Sequence, residues 1–159
     1  MHGYVVAGQC GGCNVFEFTP HVWASGGDVL SEDGSKAHFD SPEVTDALDF
    51  YRRMWTDGSM PQQSRTDNGT FQPSAFLTGK IGMIPLGAFF VQPVIDAGID
   101  FGLAPLPGKD GGSSSFAGGD ELAITEDAEN PEEAWEFLRW ATGRQAQTVL
   151  ADKGVIPVR

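Results

Sequence analysis

Positive charge is scarce in this chain: Lys and Arg together number 10 against 22 Asp and Glu, a formal net charge of -12 over 159 residues. No run of basic side chains forms a stripe able to track phosphates, which argues against nucleic acid as a partner. Long apolar runs are missing too. No stretch approaches the roughly 20 residues that span a bilayer. Met1-His2-Gly3 leads straight into a strand-like segment without a basic n-region, so the signal peptide of an exported protein is expected to lie outside this chain. Histidine is confined to the scattered His2, His21 and His38, and neither a G-x-S-x-G motif nor a nucleophile-base pair occurs. The expectation is a protein without enzymatic activity and without a cofactor. What is present is 40% hydrophobic residues, enough for the core of one domain and too little for two ordinary ones.

Cysteine is limited to Cys10 and Cys13 in "GQCGGCNVF", and the C-x-x-C spacing has three chemical readings. A redox motif needs the pair to open a helix whose N-terminus stabilises a thiolate, whereas Gly11-Gly12 and Asn14 favour a loop. Half of a zinc site lacks a second Cys or His pair. A short structural disulfide in an oxidising compartment, or two plain thiols, is the remaining reading.

Along the chain, segments alternate as in an α/β fold. "YVVAG" (4 to 8), 81 to 85, 100 to 104 and 121 to 125 read as strands of a central sheet. Thr19, Pro20 and Gly26-Gly27 suggest the cap, first position and stop of a short helix. Asp33-Gly34 signals a small hairpin. The clearest helix runs from 42 to 56: Ser41 can cap, Pro42 fits the first position, and Val44, Ala47, Leu48, Tyr51 and Met54-Trp55 form one apolar stripe. "QPSAFLTGK" and "PVIDAG" read as brief helices. Asn130 and Pro131 open a helix over 131 to 142, with Ala134, Trp135, Phe137, Leu138 and Ala141 as its buried face, and a last helix covers 144 to 152.

The pieces "WASGGDVLSEDG", "FDSPEVTDALDFYRRMWTDG", "AFLTGKIGMIPLGAFF", "IDFGLAPLPG", "FAGGDELAI", "NPEEAWEFLRWAT" and "ADKGVIPVR" follow one another in an order and spacing found elsewhere. In both respects the chain resembles the extracellular solute-binding proteins of ABC importers, in the sugar-binding branch that includes maltose-binding protein. The resemblance covers nearly the whole chain. It implies a periplasmic-binding-protein-like type II fold in which two α/β lobes, joined by hinge strands, close on a solute. Residues 1 to 159 would correspond to the C-terminal lobe, with a central mixed sheet flanked by helices; the N-terminal lobe and the remaining C-terminal segment would be absent. It further implies a small-molecule solute of the sugar class as ligand, membrane permease subunits and the missing lobe as partners, and an extracellular or periplasmic location, lipid-anchored in the full-length protein.

Three stretches carry the expected site. The resemblance places Phe89 of Gly87-Ala88-Phe89 where family members present an indole to a sugar face, with Phe90 assigned to the core. The apolar C-H face of a sugar desolvates well against an aromatic plane, while its hydroxyls need fixed donors and acceptors. In "SFAGGDEL", Gly118 and Gly119 let backbone approach a ligand and the Asp120 carboxylate can accept hydroxyl hydrogen bonds. The loop "CNVFEF" offers Asn14, Phe16 and Glu17. The four tryptophans are set aside, three of them as helix-core residues, and the Asn68-Gly69-Thr70 sequon is read as chance. Two other function classes are a thiol oxidoreductase using Cys10 and Cys13 and a non-catalytic interaction module. Losing the partner lobe would leave a half-cleft open to self-association.

Overall fold

The computed structural model describes residues 1–119 and 121–157, so the expected site residue Asp120 lies outside the described residues. The chain divides into two units: Met1–Leu86 with Ile99–Phe116, and Gly87–Gly98 with Ala117–Arg159. In the first unit, β1 (His2–Tyr4) pairs in parallel with β2 (Ile81–Met83), in a register that sets His2 against Ile81 and Tyr4 against Met83. "IGMIP" thus supplies a sheet strand as its β-branched character suggests. The first strand pairs only over 2 to 4. Val5, Val6 and Ala7 run on beyond the ladder, all at most 1% exposed, into the centre of the unit.

Helix α1 spans Gly11–Ala24, far longer than the helix expected to start at Thr19. Cys10 sits at the N-cap with extended backbone and its Sγ accepts the Cys13 N–H at 3.3 Å, so the Gly-Gly pair begins a helix rather than a loop. Pro20 therefore falls inside the helix, where it removes the helical donor to the Phe16 carbonyl. Gly26 ends it with φ +85, as the glycine pair indicates.

Helix α2 (Pro42–Thr56) begins as its sequence dictates: the Ser41 hydroxyl accepts the Val44 N–H at 3.3 Å and Glu43 sits in the first turn. Val44, Ala47, Tyr51 and Met54 are buried, but Leu48 is 54% exposed and leaves the expected stripe. Val6, Tyr51, Met54 and Met60 pack with Tyr4, Phe18 and Trp55; Val22, Val44 and Ala47 join α1 to α2. A 3₁₀ turn (Gln62–Thr66) precedes α3 (Phe71–Leu77), whose start is held by the Asp67 carboxylate, which accepts the N–H groups of Gly69, Thr70, Phe71 and Gln72. Ala75 of α3 packs on Val5 and Ile81. The Asp33-Gly34 turn closes a minimal hairpin with a single bridge between Leu30 and Ala37.

No strand forms over 100 to 104. The pairing instead lies just beyond, between β3 (Leu106–Pro107) and β4 (Ser113–Ser114), because Pro105 and Pro107 lack the N–H groups a longer ladder needs. This hairpin lies on the end of α1. A Cβ on Gly108 or Gly112 would come 2.2 or 2.1 Å from the Ala24 carbonyl oxygen, so only glycine allows the approach.

In the second unit a 3₁₀ turn (Ala88–Phe90) leads into α4 (Val91–Asp96), and α5 (Pro131–Ala141) packs with α6 (Arg144–Asp152). The stretch from 121 to 125 forms no strand, and Leu122 in it is 57% exposed. Asn130 holds the N-cap position of α5 but its side chain makes no capping bond. The face expected to be buried is not. No residue of α5 is buried, and Trp135, Phe137 and Trp140 are each more than half exposed, because α5 meets only α6 among the described elements with which it packs substantially.

Candidate functional site

Glu17 shows how α1 organises its surroundings. Three residues past Asn14, it turns inward and is 4% exposed. Its Oε2 accepts the Ala7 N–H at 3.2 Å and its Oε1 accepts Gln72 Nε2 at 2.9 Å. Gln72 Nε2 also donates to the Pro85 carbonyl at 3.2 Å, and the Tyr51 hydroxyl donates to the Glu17 carbonyl at 3.1 Å. The carboxyl thereby ties together the exit of β1, helix α3 and the exit of β2. Burial raises its pKa to about 7, outweighing the two donors, which favour the ionised form. Both oxygens are engaged, so the expectation that Glu17 faces a ligand is corrected: the helical periodicity of α1 puts it on the interior side.

Phe16, one residue earlier, faces out and is 53% exposed. Its ring meets Phe116 edge-on at 4.6 Å, and Phe116 in turn lies nearly parallel to Trp23 at 6.1 Å with an interplanar angle of 23°. Trp23 Nε1 is fixed by Asp28 at 2.9 Å. Three aromatic rings therefore form one exposed-to-half-buried platform along α1. Sequence reasoning passed over Phe116, which lies inside the quoted stretch "SFAGGDEL" but was not selected from it, and set Trp23 aside as a tryptophan. The i, i+7 spacing of Phe16 and Trp23 was the available signal, but it is visible only once α1 is known to start at Gly11. Asn14 is half-buried, with Nδ2 3.4 Å from the Gly8 carbonyl.

Beside the platform, His21 is 5% exposed. Its Nδ1 lies 2.9 Å from the Pro107 carbonyl, an oxygen that only accepts, so Nδ1 carries the proton. Burial lowers the imidazole pKa and keeps the ring neutral. A cavity of about 380 Å³ adjoins it, lined by Asp46, Phe50, Arg53 and Lys109 among others. Lys109 Nζ pairs with Asp46 at 2.6 Å on its rim.

In the second unit Phe89 is 64% exposed and Phe90 is half-buried. The Phe89 ring folds back over Gly87, where a Cβ would come 2.5 Å from the ring, which accounts for the glycine two residues before it. Gly118 and Gly119 are exposed, and nothing lies within 4 Å of a Cβ on Gly119. Cys10 and Cys13 form a disulfide. Among the described residues no cluster of three His, Cys, Asp or Glu could hold a metal, and no helix is long and apolar enough to cross a membrane.

The model of the family described as bacterial extracellular solute-binding protein matches residues 4–148. The chain belongs to that family. Among its relatives is the maltotriose-binding protein of Pyrococcus abyssi, 28% identical over 153 residues, a match covering 91% of this chain and 33% of that protein. Solved structures of the family agree. An ABC transporter solute-binding protein from Thermotoga lettingae bound with α-D-tagatose superposes with a TM-score of 0.82 at 25% identity, covering 100% of this chain and 42% of that one. Maltose-bound MalE3 of T. maritima gives 0.80 at 27% identity, covering 100% and 43%. The fold is that of a lobe of the periplasmic-binding-protein type, and the chain spans 33% to 34% of the length of the curated relatives it matches. All of these relatives are binding proteins, and none is a thiol oxidoreductase.

Proposed function

We propose that this chain is the C-terminal lobe of the substrate-binding component of an ABC uptake transporter, and that the complete protein captures a carbohydrate between two lobes and delivers it to membrane permease subunits. The observation that carries the reading is the Phe16–Phe116–Trp23 platform: aromatic faces held together by helix α1 and the segment after β4 suit the C-H faces of sugar rings. The relatives' maltotriose, tagatose and maltose support the ligand class. Phe89, Gly118, Gly119, Asp120 and Asn14 are proposed as further ligand contacts, with Glu17 acting from behind Phe16 as a positioning residue. The complete protein would work outside the cytoplasmic membrane, held by a lipid anchor. Without its partner lobe the exposed rings would favour self-association.

Calorimetric titration of the complete two-lobe protein with maltose, maltotriose and polyols tests the reading. Saturable saccharide binding, weakened about fivefold to 150-fold by Phe16→Ala, is the expected result, corresponding to about 1 to 3 kcal/mol. Saccharide affinity unchanged in Phe16→Ala would remove the platform from the site, and binding of none of these solutes would overturn the carbohydrate assignment.

A further inference from the structure

The C-G-G-C segment opens a helix after all, and that changes its chemistry. Cys10 and Cys13 are each half-buried, and Gly11 and Gly12 between them are exposed. On the inner side the pair is backed by the Asp67–Gly69 turn: a Cβ at Gly69 would sit 3.5 Å from Cys13 Sγ and 3.9 Å from Cys10 Sγ. Cys10 Sγ already accepts the Cys13 N–H at 3.3 Å, at the positive end of a helix of 14 residues. The first turn of α1 holds no acidic residue, unlike α2 and α5, and the Asp67 carboxylate is taken up by four N–H groups of its own turn. A thiolate at position 10 is therefore met by a backbone donor and the helix dipole, with no opposing charge in that turn. The bond also closes too short a loop to constrain much of the unfolded chain, so it is a weak staple.

We propose that the Cys10–Cys13 disulfide is an exchange site for low-molecular-weight thiols, with Cys13 the attacked sulfur and Cys10 the leaving one. A thiolate RS⁻ attacks Cys13 Sγ, the Cys10–Cys13 bond breaks, and its electron pair leaves on Cys10 Sγ, where the Cys13 N–H receives it. A second RS⁻ then attacks the external sulfur of the mixed disulfide, releasing RSSR and the Cys13 thiolate. Two thiols are oxidised to one disulfide, and the protein disulfide is reduced to two thiols, which take up the two protons. The modification is stoichiometric, and it reaches the proposed solute site through the first two turns of α1, which carry Asn14 and Phe16.

Two measurements on the native chain test this. Incubation of the oxidised protein with reduced glutathione, quenched by acid and mapped by peptide mass, should trap the adduct on Cys13. In the fully reduced protein, iodoacetamide at pH 6 should alkylate Cys10 about fivefold faster than Cys13, a ratio that shrinks as pH rises. Mapping both cysteines in the wild-type chain keeps the result independent of whether Cys→Ser variants fold. Glutathione that reacts only after denaturant is added, an adduct confined to Cys10, or equal alkylation rates at pH 6 would each overturn the proposal. None of these outcomes depends on sugar binding.

Discussion

Glu17 makes stability depend on pH in a direction opposite to that of most carboxylates. Its folded pKa of about 7 lies above the ordinary 4.5, so the fold holds a proton that the unfolded chain releases between these values. Stability is therefore full below about pH 4.5, falls as pH rises, and levels off above about 7, a loss of about 3 kcal/mol at most. His21 acts the other way: its lowered pKa means the unfolded chain protonates first, so stability drops as pH falls below about 6.5. Urea denaturation of wild type and Glu17→Gln at pH 5 and pH 8 separates the two. The wild-type protein should lose more stability than the variant over that interval, and parallel curves would show that Glu17 is ionised in the fold. Phe89 sets a second test. At 64% exposure its ring contributes little to the core, so Phe89→Ala should cost less than about 1 kcal/mol of folding stability. In the complete protein it should weaken ligand binding by about 1 to 3 kcal/mol. A large loss of stability with affinity intact would reassign the ring to the core.

At the level of elements, the β3–β4 hairpin is held against α1 by backbone approach rather than by apolar packing. Gly112→Ala would drive a methyl into the Ala24 carbonyl, and a loss of about 1 to 3 kcal/mol in denaturation is expected, against almost none for Gly102→Ala, where nothing lies within 4 Å of the added methyl and φ is not positive. The sequence shows helices well where caps and stripes coincide: Ser41-Pro42 with Val44, Ala47 and Tyr51 is legible from end to end. It misleads at α1, because a cysteine serves as cap and a proline sits mid-helix, each a signal that ordinarily marks a boundary. That error hid which of its candidate residues face outward. With α1 started at Thr19, Phe16 and Glu17 share a loop; on the real helix they point about 100° apart, one to solvent and one to the interior. The strands at 100 to 104 and 121 to 125 fail for a different reason, since a β-rich segment becomes a strand only where a neighbour offers its backbone. Phe116 was illegible because its importance comes from two rings on a distant element.

For the whole molecule, one lobe supplies only part of the surface that would enclose a solute. Binding would still forfeit the ligand's translational freedom, so this chain alone should hold saccharides at millimolar strength or weaker; calorimetry giving micromolar affinity would show that the second lobe adds little. The path of the backbone has a further consequence, for synthesis. The chain leaves the first unit after Leu86 and returns at Ile99, and only then does it lay Pro107 on His21 and Lys109 on Ser25, contacts that link residues 86 and 84 apart in sequence. On the ribosome, α1 and α2 can pair as soon as Thr56 has emerged, but the imidazole of His21 keeps no carbonyl acceptor from that hairpin until the last third of the chain follows. A nascent chain halted near residue 100 would therefore carry an unsealed helix end, open to proteases and chaperones, that the hairpin closes once Ser114 has been added.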